Sequence, residues 1–219
     1  MKNVFLRLCL CIGGWFGVLC SAHAGLIIDT GEPPEPRGGS ALKGSNNGNY
    51  QYIAGKITFA SAYQINSIDT YLAFNPHFST GGAFSIVLYD DNVSGPGSLV
   101  YSAGGGYMPD DSQGAWYGIS ELDWLVEARS YWVAFEAQGS SINAIMSYAA
   151  QPAATEYAYN INFWGYNGYT TDISGSPFSL RIDANSMSEV PEPGSLMLML
   201  VALLTLFSAY GFRRNARIF

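Results

Sequence analysis

From residue 50 onward, apolar and polar residues alternate with a period of two, in short runs broken by turn signals. Ile68, Thr70, Leu72 and Phe74 fall on one side of one run, with Asp69, Tyr71 and Ala73 on the other. Phe84, Ile86 and Leu88 share a side of the next, and Tyr131, Val133 and Phe135 of a third. Successive side chains of a strand point to opposite faces, so each run reads as a strand with one buried face. Residues 52–59, 99–103, 144–149, 157–163 and 178–182 add further runs, giving eight or nine strands. Ser94-Gly95-Pro96-Gly97 and Gly104-Gly105-Gly106 read as turns between them. Only residues 120–126 offer a short amphipathic helix, and no internal repeat is present. The pattern predicts an all-β domain over residues 50–185, an antiparallel β-sandwich or jelly roll.

Composition supports that class. Residues 25–189 hold 14 Tyr, 7 Phe, 4 Trp and 20 Gly, which favours strands and tight turns. Their five Lys and Arg stand against 16 Asp and Glu, a net charge of −11. So acidic a surface repels phosphate backbones, which excludes nucleic acid as a partner. All three cysteines, Cys9, Cys11 and Cys20, precede residue 25. The domain therefore has neither a disulfide nor a Cys nucleophile, and its size supplies a sufficient core without staples.

Both ends carry targeting signals. Lys2 and Arg7, the apolar residues 8–19 and Ala22-His23-Ala24 have the order of a secretory signal peptide over residues 1–24, cleaved before Gly25 by signal peptidase after passage into the secretion machinery. Gly17-Val18-Leu19 before Cys20 does not form a lipobox. Residues 25–49 open with Leu26-Ile27-Ile28 and then become a Gly/Pro-rich arm. A polar linker over residues 186–194 contains Val190-Pro191-Glu192-Pro193, where two prolines enforce extended backbone. Residues 195–212 are uncharged; at about 1.5 Å per residue a helix of that length reaches roughly 27 Å, close to a hydrocarbon core of about 30 Å. Arg213, Arg214 and Arg217 in the tail 213–219 orient such a transmembrane helix with its C-terminus in the cytoplasm.

These last elements, Val190-Pro191-Glu192-Pro193, the apolar span and the Arg-rich tail, together resemble the PEP-CTERM sorting domain of polysaccharide-producing Gram-negative bacteria. A GPI signal, the nearest alternative, lacks the basic tail. The resemblance implies an exosortase as processing partner, cleavage near the Pro-Glu-Pro, a transient inner-membrane intermediate, and final placement at the cell surface or in the extracellular matrix. Residues 84–97, Trp116, residues 122–125 and residues 131–135 also resemble uncharacterised β-sandwich ectodomains that often carry this signal, which bears on fold rather than function.

Within the domain, the candidate sites are few. His77 is the single histidine after residue 25 and lies in a turn-like Asn75-Pro76-His77-Phe78, a setting that suits a surface side chain better than a triad or metal centre. Asp90, Asp91 and Asn92 suit either weak calcium ligation or turn capping. Glu121, Asp123, Glu127 and Glu136 are the carboxylates a glycosidase would need in pairs, and nothing in the sequence pairs them. Asn162-Phe163-Trp164-Gly165-Tyr166-Asn167-Gly168-Tyr169 interleaves rings with Gly and Asn, as sugar-contacting loops require. Trp164, Tyr166 and Tyr169 are therefore candidate glycan-binding residues, with Trp116 and Tyr117 as a second group; the alternative is that these rings cap the ends of the sheet. Trp124 and Trp132, in strand-like runs, belong to the core. These readings converge on a non-enzymatic, biofilm-matrix or surface protein without a cofactor, contacting extracellular polysaccharide or acting as a structural, adhesive element.

Overall fold

A computed structural model describes residues 25–46, 49–74, 80–139, 141–161, 168–172 and 177–187. The signal peptide, His77, Trp164, Tyr166, the Pro-Glu-Pro segment, the apolar span and the basic tail lie outside the described residues. What is described is all-β and lies within one compact unit. Twelve strands follow one another: β1 (Gly25–Asp29), β2 (Gly39–Asn46), β3 (Asn49–Thr58), β4 (Tyr63–Phe74), β5 (Gly82–Asn92), β6 (Gly95–Met108), β7 (Ala115–Val126), β8 (Ser130–Ala137), β9 (Asn143–Ser147), β10 (Tyr157–Ile161), β11 (Thr170–Asp172) and β12 (Leu180–Ser186). Among the described residues no helix is long and apolar enough to cross a membrane.

The strands form one antiparallel sheet in the order β1-β12-β4-β9-β2-β3-β8-β5-β6, with β7 added to β4 and the β10–β11 pair added to β3. This corrects the expectation of two separately bonded sheets. Strand β2 pairs with β9 through Gly39–Lys43 and with β3 through Lys43 and Asn46, so it joins the two halves into one ladder. The sheet curls into a half-barrel. Register shifts in β1, β2, β4, β5 and β12 supply the bends, as bulges do when a strand must curve. The arm expected over residues 25–49 contributes β1 and β2, so only its middle is irregular.

Curling gives the inner face its core. Ile53 and Ile57 of β3, Phe84, Ile86 and Leu88 of β5, and Val133 and Phe135 of β8 meet Ile65, Ile68 and Leu72 of β4, Met146 of β9, and Leu180 and Ile182 of β12 in one cluster. All are almost wholly excluded from solvent. Phe135 stands between Phe84 and Phe178, with ring centres 6.3 and 5.7 Å away. Thr70, the one polar member of its alternating run, donates to the Ser179 carbonyl at 2.8 Å, which removes the cost of burying its hydroxyl. Tyr101 of β6 stacks on Trp124 of β7 (5.3 Å, 10°) and donates to the Leu125 carbonyl, tying two strands that share no ladder.

Two local expectations are overturned. Residues 120–126 are not helical but belong to β7. Ser120 pairs with Ser67 and Trp124 with Ile65, so residues 121–123 bulge out opposite Asn66. Glu121 (φ 60) and Asp123 (φ 51) adopt left-handed backbone there, and a bulge of this kind spaces apolar residues much as a helix does. Gly104-Gly105-Gly106 is no turn but a bulge inside β6, with Gly105 at φ 111; the actual turn is Val93-Ser94. Gly118 is obligatory for a different reason, since a Cβ there would collide with the Ile68 carbonyl.

Truncating the central ring tests this core. Phe135→Ala is expected to cost about 3–5 kcal/mol in urea unfolding of residues 25–189. A loss below about 1 kcal/mol would mean that the two halves do not pack through Phe135.

Candidate functional site

The outer face of the β10–β3–β8–β5 ladder is not the polar surface that a one-sided sheet usually presents. Antiparallel register aligns its residues in rows. Glu156 lies across from Lys56, Lys56 from Trp132, and Trp132 from Tyr89. Next come Ala158, Ala54, Ala134 and Val87. Then come Asn160 opposite Tyr52 and, one step beyond the Ile53–Phe135 pair, Glu136 opposite Ser85. Small side chains in the middle row leave a trough, and a second apolar cluster fills it: Ala54, Val87, Trp132, Ala134 and Ala158, with Tyr89 and Tyr169 packed against them.

Polar atoms on this face are tightly bonded. Trp132, fully buried, donates its Nε1–H to Asp91 Oδ1 at 2.9 Å. Lys56 lies 2.9 Å from Asp91 Oδ2 and 3.1 Å from Glu156 Oε1, with its ammonium 6.0 Å from the Trp132 ring centre. Hydrogen bonding to Asp91, above all, raises the Lys56 pKa, so the ammonium stays charged. On the far side of the trough, Glu136 Oε1 accepts hydrogen bonds from the hydroxyls of both Tyr89 and Tyr169, each at 2.8 Å. The two rings meet edge to face at 5.7 Å. Burial, reinforced by the Glu136 charge, pushes all three nearby phenols, Tyr52, Tyr89 and Tyr169, above the ordinary tyrosine value.

Two further features mark this face. Tyr50 and Tyr52, on the same side of β3, stack with ring centres 4.7 Å apart and planes 22° apart, and both are half-exposed. Beside Tyr52, Asn160 Oδ1 is buried and accepts no hydrogen bond. An unpaired buried acceptor costs about 1–3 kcal/mol.

The sequence-predicted residues distribute unevenly over this geometry. Tyr169 reaches the face, but as a half-buried ring tied to Glu136 rather than an exposed loop ring. Trp116 and Tyr117 do not form one group, because neighbours on a strand point to opposite faces. Tyr117 turns inward and bonds Ser112 (2.8 Å). Trp116 lies outward on β7, with the Arg181 guanidinium 3.9 Å over its ring and Tyr71 edge-on at 5.6 Å. Arg181 is itself held by Asp29 at 2.9 Å, so one indole face is covered. The calcium candidates face different partners: Asp90 pairs with Arg129 (2.7 Å), Asp91 with Lys56 and Trp132, and Asn92 Oδ1 accepts from the Val93 amide (2.7 Å). Among the described residues, no three His, Cys, Asp or Glu side chains are grouped to hold a metal ion. Glu121 and Asp123 sit in the β7 bulge, and Glu127 is exposed beside Arg129. A shallow depression on the β1–β2 connection, lined by residues 34–38 and Gln113, holds Arg37, already bonded to Gln113 at 2.6 Å.

Sequence reasoning missed Tyr50, Tyr52, Tyr89, Asn160 and the bonding role of Glu136. The alternation of β3 contained the signal for the first two, since Tyr50, Tyr52, Ala54 and Lys56 all fall on one parity.

Comparison with known proteins bears on the C-terminus. Residues 189–215 match the PEP-CTERM protein-sorting motif. The chain thus carries this sorting signal, which implies an exosortase-processed, secreted protein directed to the cell surface. No curated protein matches the chain.

The tyrosine cluster makes stability fall at alkaline pH. Raised folded-state values mean that the neutral phenols stabilise the fold fully below the unfolded value near 10.0, and that this contribution is lost as pH rises through the folded values. Urea midpoints of residues 25–189 are expected to hold level to about pH 9 and to drop by about pH 11, with a shallower drop in Tyr89→Phe. Equal slopes in both proteins would show that Tyr89 ionises freely in the fold.

Proposed function

We propose that this chain is an exported protein whose domain contacts exopolysaccharide without chemically altering it, after an exosortase has removed its C-terminal anchor. In this reading residues 1–24 are cleaved by signal peptidase, residues 195–212 span the inner membrane transiently, and the product resides at the surface or in the biofilm matrix. The observation that carries the glycan contact is the stacked Tyr50–Tyr52 pair beside the unpaired acceptor Asn160 Oδ1. Aromatic faces pack against the C–H faces of sugars, and an unpaired acceptor beside them takes a hydroxyl. Trp164 and Tyr166 belong to the segment that links β10 to Tyr169, so they extend the same proposal.

A non-catalytic role is supported by how Glu136 is bonded. Among the described residues its hydrogen-bond partners are two neutral phenols, not a second carboxylate that could divide acid and base roles with it. A purely structural or adhesive role is the second reading. It is favoured by Tyr169, which the cluster uses as an anchor, and by Trp116, whose ring Arg181 covers.

The deciding assay is binding of purified residues 25–189 to the producing organism's own exopolysaccharide, with and without calcium. Saturable binding is expected, weakened about tenfold or more in Tyr50→Ala/Tyr52→Ala and in Trp164→Ala/Tyr166→Ala. Absence of binding in every condition leaves the structural reading. Processing is tested separately by intact-mass analysis of the mature protein from its native host. The expected chain begins at Gly25 and lacks residues 213–219; a mature chain that retains Arg213, Arg214 and Arg217 sinks the exosortase assignment.

A further inference from the structure

Asn92-Val93-Ser94, at the tip of the β5–β6 hairpin, carries chemistry that neither the core nor the outer face uses. It is the only Asn-x-Ser/Thr triplet in the chain, and its middle residue is not proline. In an exported protein such a triplet accepts N-linked sugar where it lies on a surface turn. This triplet lies on one. Asn92 pairs with Gly95 across a two-residue turn, and Asn92, Val93 and Ser94 are all exposed, Val93 completely. Below the tip the hairpin is fixed: Asp91 is held by Lys56 and Trp132, and Asp90 by Arg129. The triplet therefore projects from a rigid base.

The polar atoms of the tip divide between two tasks. Asn92 Oδ1 accepts from the Val93 amide at 2.7 Å, as asparagine commonly does in turns. Among the described residues, nothing bonds the Asn92 Nδ2 group, which has two hydrogens to donate, or the Ser94 hydroxyl. Turn capping accounts for Asn92 but not for Val93, a β-branched residue that turns disfavour and that meets no protein surface here.

We propose that Asn92 is a site of N-linked glycosylation by an oligosaccharyltransferase that meets the chain on the exported side of the membrane. The donor is an oligosaccharide carried on a lipid diphosphate. Nδ2 forms a bond to the sugar C1 while the bond from C1 to the diphosphate oxygen breaks. The lipid diphosphate leaves with that electron pair, and one Nδ2 proton passes to a base of the transferase. The Ser94 hydroxyl is the group by which the transferase recognises the triplet. This sugar is covalently attached, so it is separate from the polysaccharide contact at Tyr50 and Tyr52 and does not depend on it.

The test is fragment-ion mass spectrometry of the denatured mature protein from its native host, on the peptide that spans Asn92. That peptide is expected to be heavier by an oligosaccharide, with the sugar retained on fragments that contain Asn92. Asn92→Gln and Ser94→Ala should each abolish the addition, while Ser98→Ala, at an exposed position of β6, should keep it. Near-ultraviolet circular dichroism of the purified variants reports whether each keeps the native packing. An unmodified peptide in the unsubstituted protein overturns the proposal. So does an addition that survives Asn92→Gln, which places the sugar elsewhere, or one that survives Ser94→Ala, since transfer would then not read the triplet. Denaturation strips any polysaccharide held without a covalent bond, so these outcomes leave the glycan-contact reading untouched.

Discussion

Everything in this domain depends on burying both faces of the β3–β8–β5 ladder. A sheet in water ordinarily hides one face and leaves the other polar. Here β8 reads Tyr131-Trp132-Val133-Ala134-Phe135, and all five side chains are buried. Tyr131, Val133 and Phe135 close the inner core, while Trp132 and Ala134 face the other way, against Ala54, Val87, Ala158 and Tyr169. That doubly buried strand makes the outer face a built surface. Once Trp132 is buried, its indole N–H needs Asp91, Asp91 needs Lys56, and Lys56 draws in Glu156. The polar order of this face is thus a consequence of packing, and among the described residues of this row Asn160 Oδ1 is the buried side-chain acceptor left unpaired.

The same logic explains how far the sequence could be read. Inner-face residues were legible because one buried face produces clean alternation, as in β4, β5 and β8. Long-range partnership was not. No local pattern reveals that β2 bonds to both β9 and β3, and it is this double pairing that turns two expected sheets into one curled sheet. Bulges deceived the reading in both directions. At residues 121–123 the left-handed acids broke the period of two and imitated a helix, and at residues 104–106 three glycines imitated a turn inside a strand.

The candidate site was legible at the level of residue type but not of geometry. A loop rich in rings and glycine ends at Tyr169, which packs on the outer face. Yet Tyr169 serves that face by bonding Glu136, a residue noted in the sequence only as one of several carboxylates. Trp116 and Tyr117 illustrate the opposite outcome. Adjacent in sequence, they are separated by the thickness of the sheet, and Arg181, 64 positions downstream in the chain from Tyr117, is what covers the indole. Aromatic count therefore signals abundance of rings, and only parity along a known strand tells which of them share a surface.

Charge connects the domain to its destination. A surface with a net charge of −11 disfavours aggregation among identical copies held at high local density, and it disfavours adhesion to anionic polymers or lipids. Specific retention then has to come from short-range contacts that overcome or exploit that field. The stacked tyrosines offer a surface indifferent to charge, whereas Glu136 is bonded, among the described residues, by phenols and not by a cation. Had a lysine occupied the position of Tyr89 or Tyr169, the carboxylate would be neutralised within the fold. Tyrosine supplies two hydrogen bonds to Glu136 Oε1 without supplying a counter-charge, so the cluster meets the packing demand and leaves the electrostatic one to solvent.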